Sequence, residues 1–469
     1  MSDKQDNPTT RREFLRSAAV TVAAGAAATA FSSMPTTAEG MRRVKGANDR
    51  ILVGHIGLGT QGFGAHVKMI KEKESENNTQ QIAVCDLYGR RIRESQKELN
   101  LTDSQTCTNH HKLLAIKELD AVVVATSDNW HAQITMDALN AGKHVYCEKP
   151  MCKTLEETFA VYDTVKKTKK IFQVGSQGCS DAKWHVAQSV VKAGKIGHAF
   201  LGQGSYMRNG KVGEWNNYGR FDLDAGPTAT GDAHVDWDTF RKGTLPAEWD
   251  PDRFFRWRKY WEYGSGLVGD LFPHRLHPLF IALNISTEGT RGFPLRVSSG
   301  GGLYVQKIHT PSAFPDKADQ DREQAYLDKY HKGSKEWSDR EVPDFTSITA
   351  DFEDCTIMAI SSTINDVGWE DMIRGNKASL YFGGNGVKIE PQRIYADDID
   401  AEVVPVTGPG EDIHIHEKNW FDCIRTNGVP NCNIDIAVRV QTMISMAEMA
   451  FRQSKTITFD PKARKVTAL

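Results

Sequence analysis

The stretch Ile51-Leu52-Val53-Gly54-His55-Ile56-Gly57-Leu58-Gly59-Thr60-Gln61-Gly62 decides the fold. Its first half is a short, mostly apolar run that reads as a buried parallel strand. The spacing Gly57-x-Gly59-x-x-Gly62 follows at once, and residues 63–73 read as a helix opening from it. Glycines at these places let the backbone turn tightly and approach a pyrophosphate that rests on helix N–H groups. The spacing alone is a common glycine turn. Its place between strand and helix makes it informative.

Working outward, the same alternation repeats. Residues 81–86, 120–126, 144–147 and 171–175 have strand composition, and 90–99 and 132–141 have helical pattern. Strands alternating with helices imply right-handed crossovers and a doubly wound α/β sheet. A Rossmann dinucleotide-binding domain over residues 48–175 follows. Asp86 ends the second strand, where an acid grips adenosine ribose hydroxyls and disfavours a 2′-phosphate. NAD is therefore expected ahead of NADP, although Arg90 and Arg91 keep NADP open.

After residue 176 the texture changes. Residues 184–193 read as a helix, and 207–262 are rich in Gly, Asp, Trp, Arg and Tyr without a clear period, which marks functional loops. Strand composition returns at 295–305, 345–364 and 378–389, and 436–452 reads as a closing amphipathic helix. Residues 176–469 are expected to form an α+β domain with a large, mainly antiparallel open sheet.

The chain of 469 residues carries a net charge of −2 with 39% hydrophobic and 25% charged residues. That balance gives no field for nucleic acid. Of the 8 cysteines, Cys85 and Cys147 lie in apolar strand-like runs, where a buried free thiol is the usual occupant. Neither Cys nor His positions show paired zinc spacing, so no metal site is expected.

The first residues differ. Thr10-Arg11-Arg12-Glu13-Phe14-Leu15-Arg16 precedes an Ala-rich apolar stretch, residues 17–31, with small residues for cleavage after Ala30 or Ala38. This is a twin-arginine export pattern, so residues 1–38 are expected to be a signal peptide read by the Tat machinery, with a periplasmic destination. The stretch is too short and weakly apolar for a stable membrane span.

The glycine loop, Asp128-Asn129-Trp130-His131-Ala132, Glu148-Lys149-Pro150 and Gly264-Ser265-Gly266-Leu267-Val268-Gly269-Asp270-Leu271-Phe272-Pro273-His274 together resemble the Gfo/Idh/MocA oxidoreductase family, which includes glucose–fructose oxidoreductase and inositol dehydrogenase. The resemblance implies a sugar, polyol or glycoside as substrate, and a sheet face used in oligomer contacts, so a homo-oligomer is expected. It places Lys149 beside the nicotinamide and the reacting hydroxyl, and makes Asp270 and His274 the catalytic Asp-x-x-x-His pair. The chemistry of the residues agrees. A spacing of four on one helix puts both side chains on one face. His274 accepts a hydroxyl proton, Asp270 orients it, and Lys149 stabilises a developing alkoxide. Gly57, Gly59, Thr60, Gln61, Gly62, Asp86, Trp130, His131, Glu148 and Lys149 are the expected cofactor residues.

His277 is the competing histidine. Arg208, Tyr260 and Trp261 are the expected substrate contacts, drawn from a wider group with Asn209, Trp215, Tyr218, Asp236, Trp237, Arg256 and Arg258. Ser176 and Gln177 follow the last strand of the first sheet, and His414, His416, Asn419 and Trp420 form another candidate group. An exported enzyme has no external pool of NAD, so the cofactor is expected to stay bound and to be regenerated within each cycle. Hydride exchange between sugars meets that condition. So does glycoside hydrolysis through transient C3 oxidation and elimination, as in NAD-dependent glycosidases related to the family. A non-catalytic sugar sensor is the third class.

Overall fold

In the computed structural model, residues 49–216, 222–244, 246–333, 337–383 and 386–469 are described. The signal-peptide reading and Tyr218 lie outside them.

The first sheet is parallel and six-stranded, in the order β3-β2-β1-β4-β5-β6, built from β1 (Ile51–Ile56), β2 (Thr79–Cys85), β3 (Thr106–Cys107), β4 (Ala121–Val124), β5 (His144–Glu148) and β6 (Phe172–Gly175). Its strands read as continuous apolar runs because both faces are covered; Ala121, Val122, Val123 and Val124 are all buried. The order reverses between β1 and β4, and the carboxyl ends there open a crevice. The glycine loop turns at that point. Gly57 has φ +92°, and a Cβ on it would lie 2.6 Å from the Ala125 carbonyl carbon. A Cβ on Gly62 would strike the Gly57 carbonyl oxygen, so this glycine lets the helix start tight against the strand. The helix begins earlier than the periodicity suggests. A wide π-helical stretch, Thr60–Val67, runs into the α-helix Lys68–Glu72.

The second sheet has eleven strands. Its path uses β7 (Ala199–Asn209), β8 (Arg296–Gly302), β9 (Phe345–Asp351), β10 (Thr356–Ser362), β12 (Met372–Gly375), β13 (Ala378–Gly383), β14 (Gly386–Pro391), β15 (Glu402–Pro405), β16 (Ile457–Asp460) and β17 (Lys465–Ala468). The order is β15-β14-β13-β12-β7-β10-β9-β8-β16-β17, and β11 (Ile364–Asn365) pairs off this path with β7. Among the described residues β7 and β10 run parallel and the other neighbours antiparallel. The alternating burial of β9 and β10 shows one face packed and one open. The helices Pro273–Ala282 and Ile434–Gln453 fill the packed face through Leu276, Leu279, Met443 and Ile444.

Residues 51–469 form one unit, and the chain crosses between the sheets more than once. Helix Ile413–Thr426 returns to the first sheet, where Trp420 and Phe421 are buried against Ile51, Val53 and Tyr146. Burying each such aromatic contributes about 2–3 kcal/mol. No helix among the described residues is long and apolar enough to cross a membrane. All eight cysteines are free, Cys85 and Cys147 among the buried ones.

Candidate active site

One cavity of about 600 Å³ runs from the glycine loop to His274. Gly57, Gly59, Thr60 and Gln61 line it at one side, with Asp86, Trp130, His131, Glu148 and Lys149. Gly62 does not line it and acts through the close packing described above. Asp86 does more than face a ribose. Its Oδ2 accepts from Leu58 N at 2.6 Å and its Oδ1 from Tyr88 N at 2.9 Å, so it fixes the loop itself. Of the two nearby arginines only Arg91 reaches the cavity; Arg90 turns away to Asp224. The Arg91 guanidinium lies 3.9 Å from Asp86 Oδ1 and over the rings of Phe254 and Phe255.

Trp130 Nε1 donates to the Phe240 carbonyl at 3.0 Å, and His131 Nδ1 lies 2.7 Å from the Pro150 carbonyl. The second histidine nitrogen is 3.1 Å from the Thr126 carbonyl, so His131 ties the Lys149–Pro150 turn to the end of β4. That peptide bond is cis. Glu148 is buried, and Gln61 Nε2 donates to its Oε1 at 3.0 Å.

Lys149 Nζ donates to Asp270 Oδ1 at 2.9 Å and to the Asp270 carbonyl at 2.7 Å. Arg258 Nε at 3.1 Å and Trp215 Nε1 at 2.8 Å complete the grip on this carboxylate. Burial alone would raise Asp270, but Lys149 and Arg258 hold it well below the usual carboxylate range. The expected Asp270–His274 arrangement needs correction. The helix stops at Asp270 and a new one starts at Pro273, so the pair does not share one helix face. Among the described residues Asp270 makes no hydrogen bond to His274; it serves Lys149, Arg258 and Trp215 instead. His274 lines the cavity, stacks on Tyr206 with ring centres 4.5 Å apart, and its Nδ1 has no hydrogen-bond partner among the described residues, Glu411 Oε1 lying 3.9 Å away. Burial, then the Lys149 charge, push its pKa down to about 3, so the ring is a neutral acceptor.

Among the substrate candidates, Arg208 lines the cavity and is braced by Glu214 at 2.6 Å. The other three do not line it. Tyr260 donates its hydroxyl to buried Asp252 at 2.5 Å. Trp261 packs under the Arg452 guanidinium. His277 Nδ1 lies 3.1 Å from the Pro273 carbonyl one turn back, so its ring is tied to its own helix. Ser176 and Gln177 face Pro273 and Tyr146. His416 sits between Ser180 Oγ and the Val174 carbonyl, and Trp420 is core, so that group is scaffold.

Apart from Asp236, sequence reading missed the roof of the cavity. Asp236, Thr239, Phe240, Phe254, Phe255 and Trp257 come from the irregular region and line the cavity opposite the glycine loop. Backbone bonds Asp236 N to Leu87 O and Gly89 N to His234 O pin that region to the end of β2. His110 and His111 were missed as lining residues too. With Asp137 they bring three ligand-type atoms within 4.8 Å of one another, and His110 Nε2 lies 2.9 Å from Asp137 Oδ2 in a hydrogen bond.

Residues 51–176 match the family model described as "Oxidoreductase family, NAD-binding Rossmann fold". That description fits the parallel six-stranded sheet and the glycine loop that these residues build. Over 168 residues the chain is 32% identical to glycosyl hydrolase family 109 protein 1 of Bacteroides fragilis strain YCH46, covering 34% of this chain and 35% of that protein. Over 163 residues it is 25% identical to inositol 2-dehydrogenase of Salmonella typhimurium, covering 34% and 47%. The matched part thus spans less than half of either curated relative. A levoglucosan dehydrogenase structure, in complex with NADH and levoglucosan, superposes with a TM-score of 0.58 at 16% identity, covering 89% of this chain and 99% of that one. That likeness extends the shared fold across both sheets.

Proposed function

We propose that this protein is an NAD-dependent oxidoreductase acting on a hydroxyl of a sugar or polyol, with the cofactor retained through the cycle. The observation that carries the reading is the convergence of Lys149, Asp270 and His274 on the cavity that starts at the glycine loop. The residues fit a dinucleotide: a turn with no room for side chains, a fixed acid at Asp86, and an enclosed cleft of suitable size. Bound there, the nicotinamide would supply the hydride acceptor. Lys149, pinned by Asp270, steadies negative charge on the substrate oxygen. His274 Nε2 is the candidate acceptor for the hydroxyl proton, and Arg208 is placed to orient the rest of the substrate.

The roof over the cleft and the Arg11-Arg12 pattern support a cofactor that stays bound in an exported chain. The family 109 relative supports a second reading, net glycoside hydrolysis through transient oxidation and elimination. The test is turnover of aryl glycosides without added NAD, beside hydride exchange between pairs of sugars. Leaving-group release with no net redox change selects hydrolysis. Sugar–sugar exchange with no glycoside cleaved selects the oxidoreductase. Intact sugar binding with neither activity overturns both and leaves a sensor.

A further inference from the structure

A second cluster of titratable side chains lies in the cavity wall, and the steps above make no use of it. His110 and His111 open the short helix His110–Leu114 that precedes β4, and both line the cavity. Asp137 comes from the helix that follows β4, Asp128–Asn140. His110 Nε2 lies 2.9 Å from Asp137 Oδ2, and His111 Nε2 lies 3.9 Å from the same oxygen. One ligand atom from each residue falls within 4.8 Å of the other two. Nitrogen and oxygen ligands of a tetrahedral zinc ion sit about 2.0–2.2 Å from the metal, which puts them about 3.3 Å from one another. The two distances to Asp137 Oδ2 fall on either side of that value. Small side-chain rotations are enough to seat an ion, with no change of backbone.

The carboxylate is already oriented for this. Gln133 Nε2 donates to Asp137 Oδ1 at 3.0 Å and leaves Oδ2 toward the imidazoles, as outer partners do for a ligating carboxylate. Asn109 accepts from His111 N at 2.9 Å and fixes the start of the histidine helix. The two rings stand 4.1 Å apart between centres, and His110 packs edge-on against Trp130. Only His110 hydrogen-bonds Asp137; the His111 ring, 65% exposed, reaches toward the same oxygen without a bond. A cation would satisfy all three groups at once. Two imidazoles and one carboxylate suit zinc and its neighbours, whereas magnesium and calcium favour all-oxygen sets. The ligands come from two helices, so no spacing along the chain marks them.

We propose that His110, His111 and Asp137 bind one Zn2+ or a similar borderline divalent ion, which ties the helix before β4 to the helix after it at the cavity wall. Three protein ligands leave a further position for water. The site does not depend on which substrate or cofactor the cavity takes.

The experiment uses the full, untagged chain, treated with EDTA, desalted and titrated with Zn2+ by calorimetry, with Mg2+ as the oxygen-seeking control. One Zn2+ per chain should bind with a Kd of about 10 µM or tighter, and Mg2+ at least a hundredfold more weakly. Zn2+ at a hundredfold excess over Kd should raise Tm by about 2–3 °C. His111→Ala and Asp137→Asn should each weaken Zn2+ at least tenfold. His111 is exposed, so His111→Ala should keep the metal-free Tm of the wild type, which separates loss of a ligand from loss of fold. Co2+ in place of Zn2+ should give the d–d absorption of a four- or five-coordinate ion, absent in His111→Ala. No Zn2+ bound at about 100 µM, or an affinity unchanged within threefold in either variant, overturns the site.

Discussion

Lys149 Nζ and Asp270 form a two-point clamp, one bond to the carboxylate and one to the same residue's carbonyl, 2.9 and 2.7 Å long. Two bonds to one residue fix the ammonium in direction as well as position. Lys149→Ala should lower turnover on the best substrate by on the order of 10²–10³-fold, with NAD affinity changed only a few-fold. Steady-state kinetics beside cofactor binding checks this; unchanged turnover would remove Lys149 from the site.

Five buried histidines are pushed down by burial: His55 and His274 to about 3, His277 and His416 to about 4, and His131 in the same direction. The unfolded chain takes protons at these positions below pH 6.5 and the folded chain does not. Stability therefore falls as pH drops from 6.5 toward 4. Asp128, raised to about 7, and Asp250, raised to about 6, act in the opposite sense over that window, being protonated only in the fold. The net pH dependence is the balance of the two sets. Asp128→Asn should steepen it and stabilise the protein above pH 7. Urea unfolding at a series of pH values reads both effects.

The same low value for His274 fixes the acid side of activity. The imidazole remains a neutral acceptor well below pH 6, so the acid limb of kcat should fall below pH 5 rather than near 6.5. His274→Ala should lower turnover by about 10²–10⁴-fold across the plateau.

Glu323 sits fully buried between Arg256, at 2.6 and 2.9 Å, and His309 at 2.9 Å. Replacing it with Leu strands part of that positive charge and should cost about 3–5 kcal/mol. A denaturant midpoint within error of wild type would show that the pair does not hold this region.

Asp86→Ser should loosen the loop and free Arg91 beside it. The NADP/NAD affinity ratio should rise at least tenfold, with NAD binding weakened, as measured by calorimetry.

The first sheet was legible because a parallel sheet covered on both faces writes unbroken apolar runs, as at Ala121–Val124. The helix Leu155–Thr168 was passed over although Thr154 and Glu157 spell a capping box, with Glu157 N donating to Thr154 Oγ1 at 3.2 Å. The strand Thr106–Cys107 is too short to leave a pattern. Lys149, Asp270 and His274 were found through motifs, but the break between Asp270 and Pro273 was not, since helical spacing says nothing about where a helix ends. Tyr260 and Trp261 read as ligand contacts because aromatic residues in an irregular segment look alike whether they face a cavity, a buried ion network as Tyr260 does, or a surface cation as Trp261 does. Beyond Asp236 the roof was invisible for the same reason: Phe254 and Phe255 reach the glycine loop only through the tertiary fold.

On the function proposed above, this cavity holds NAD and does not release it during turnover. Purified protein prepared without added cofactor, denatured and analysed by mass, tests it most directly. Release of close to one NAD per chain is the predicted result. No nucleotide released, with no measurable affinity for added NAD or NADH, would contradict the account.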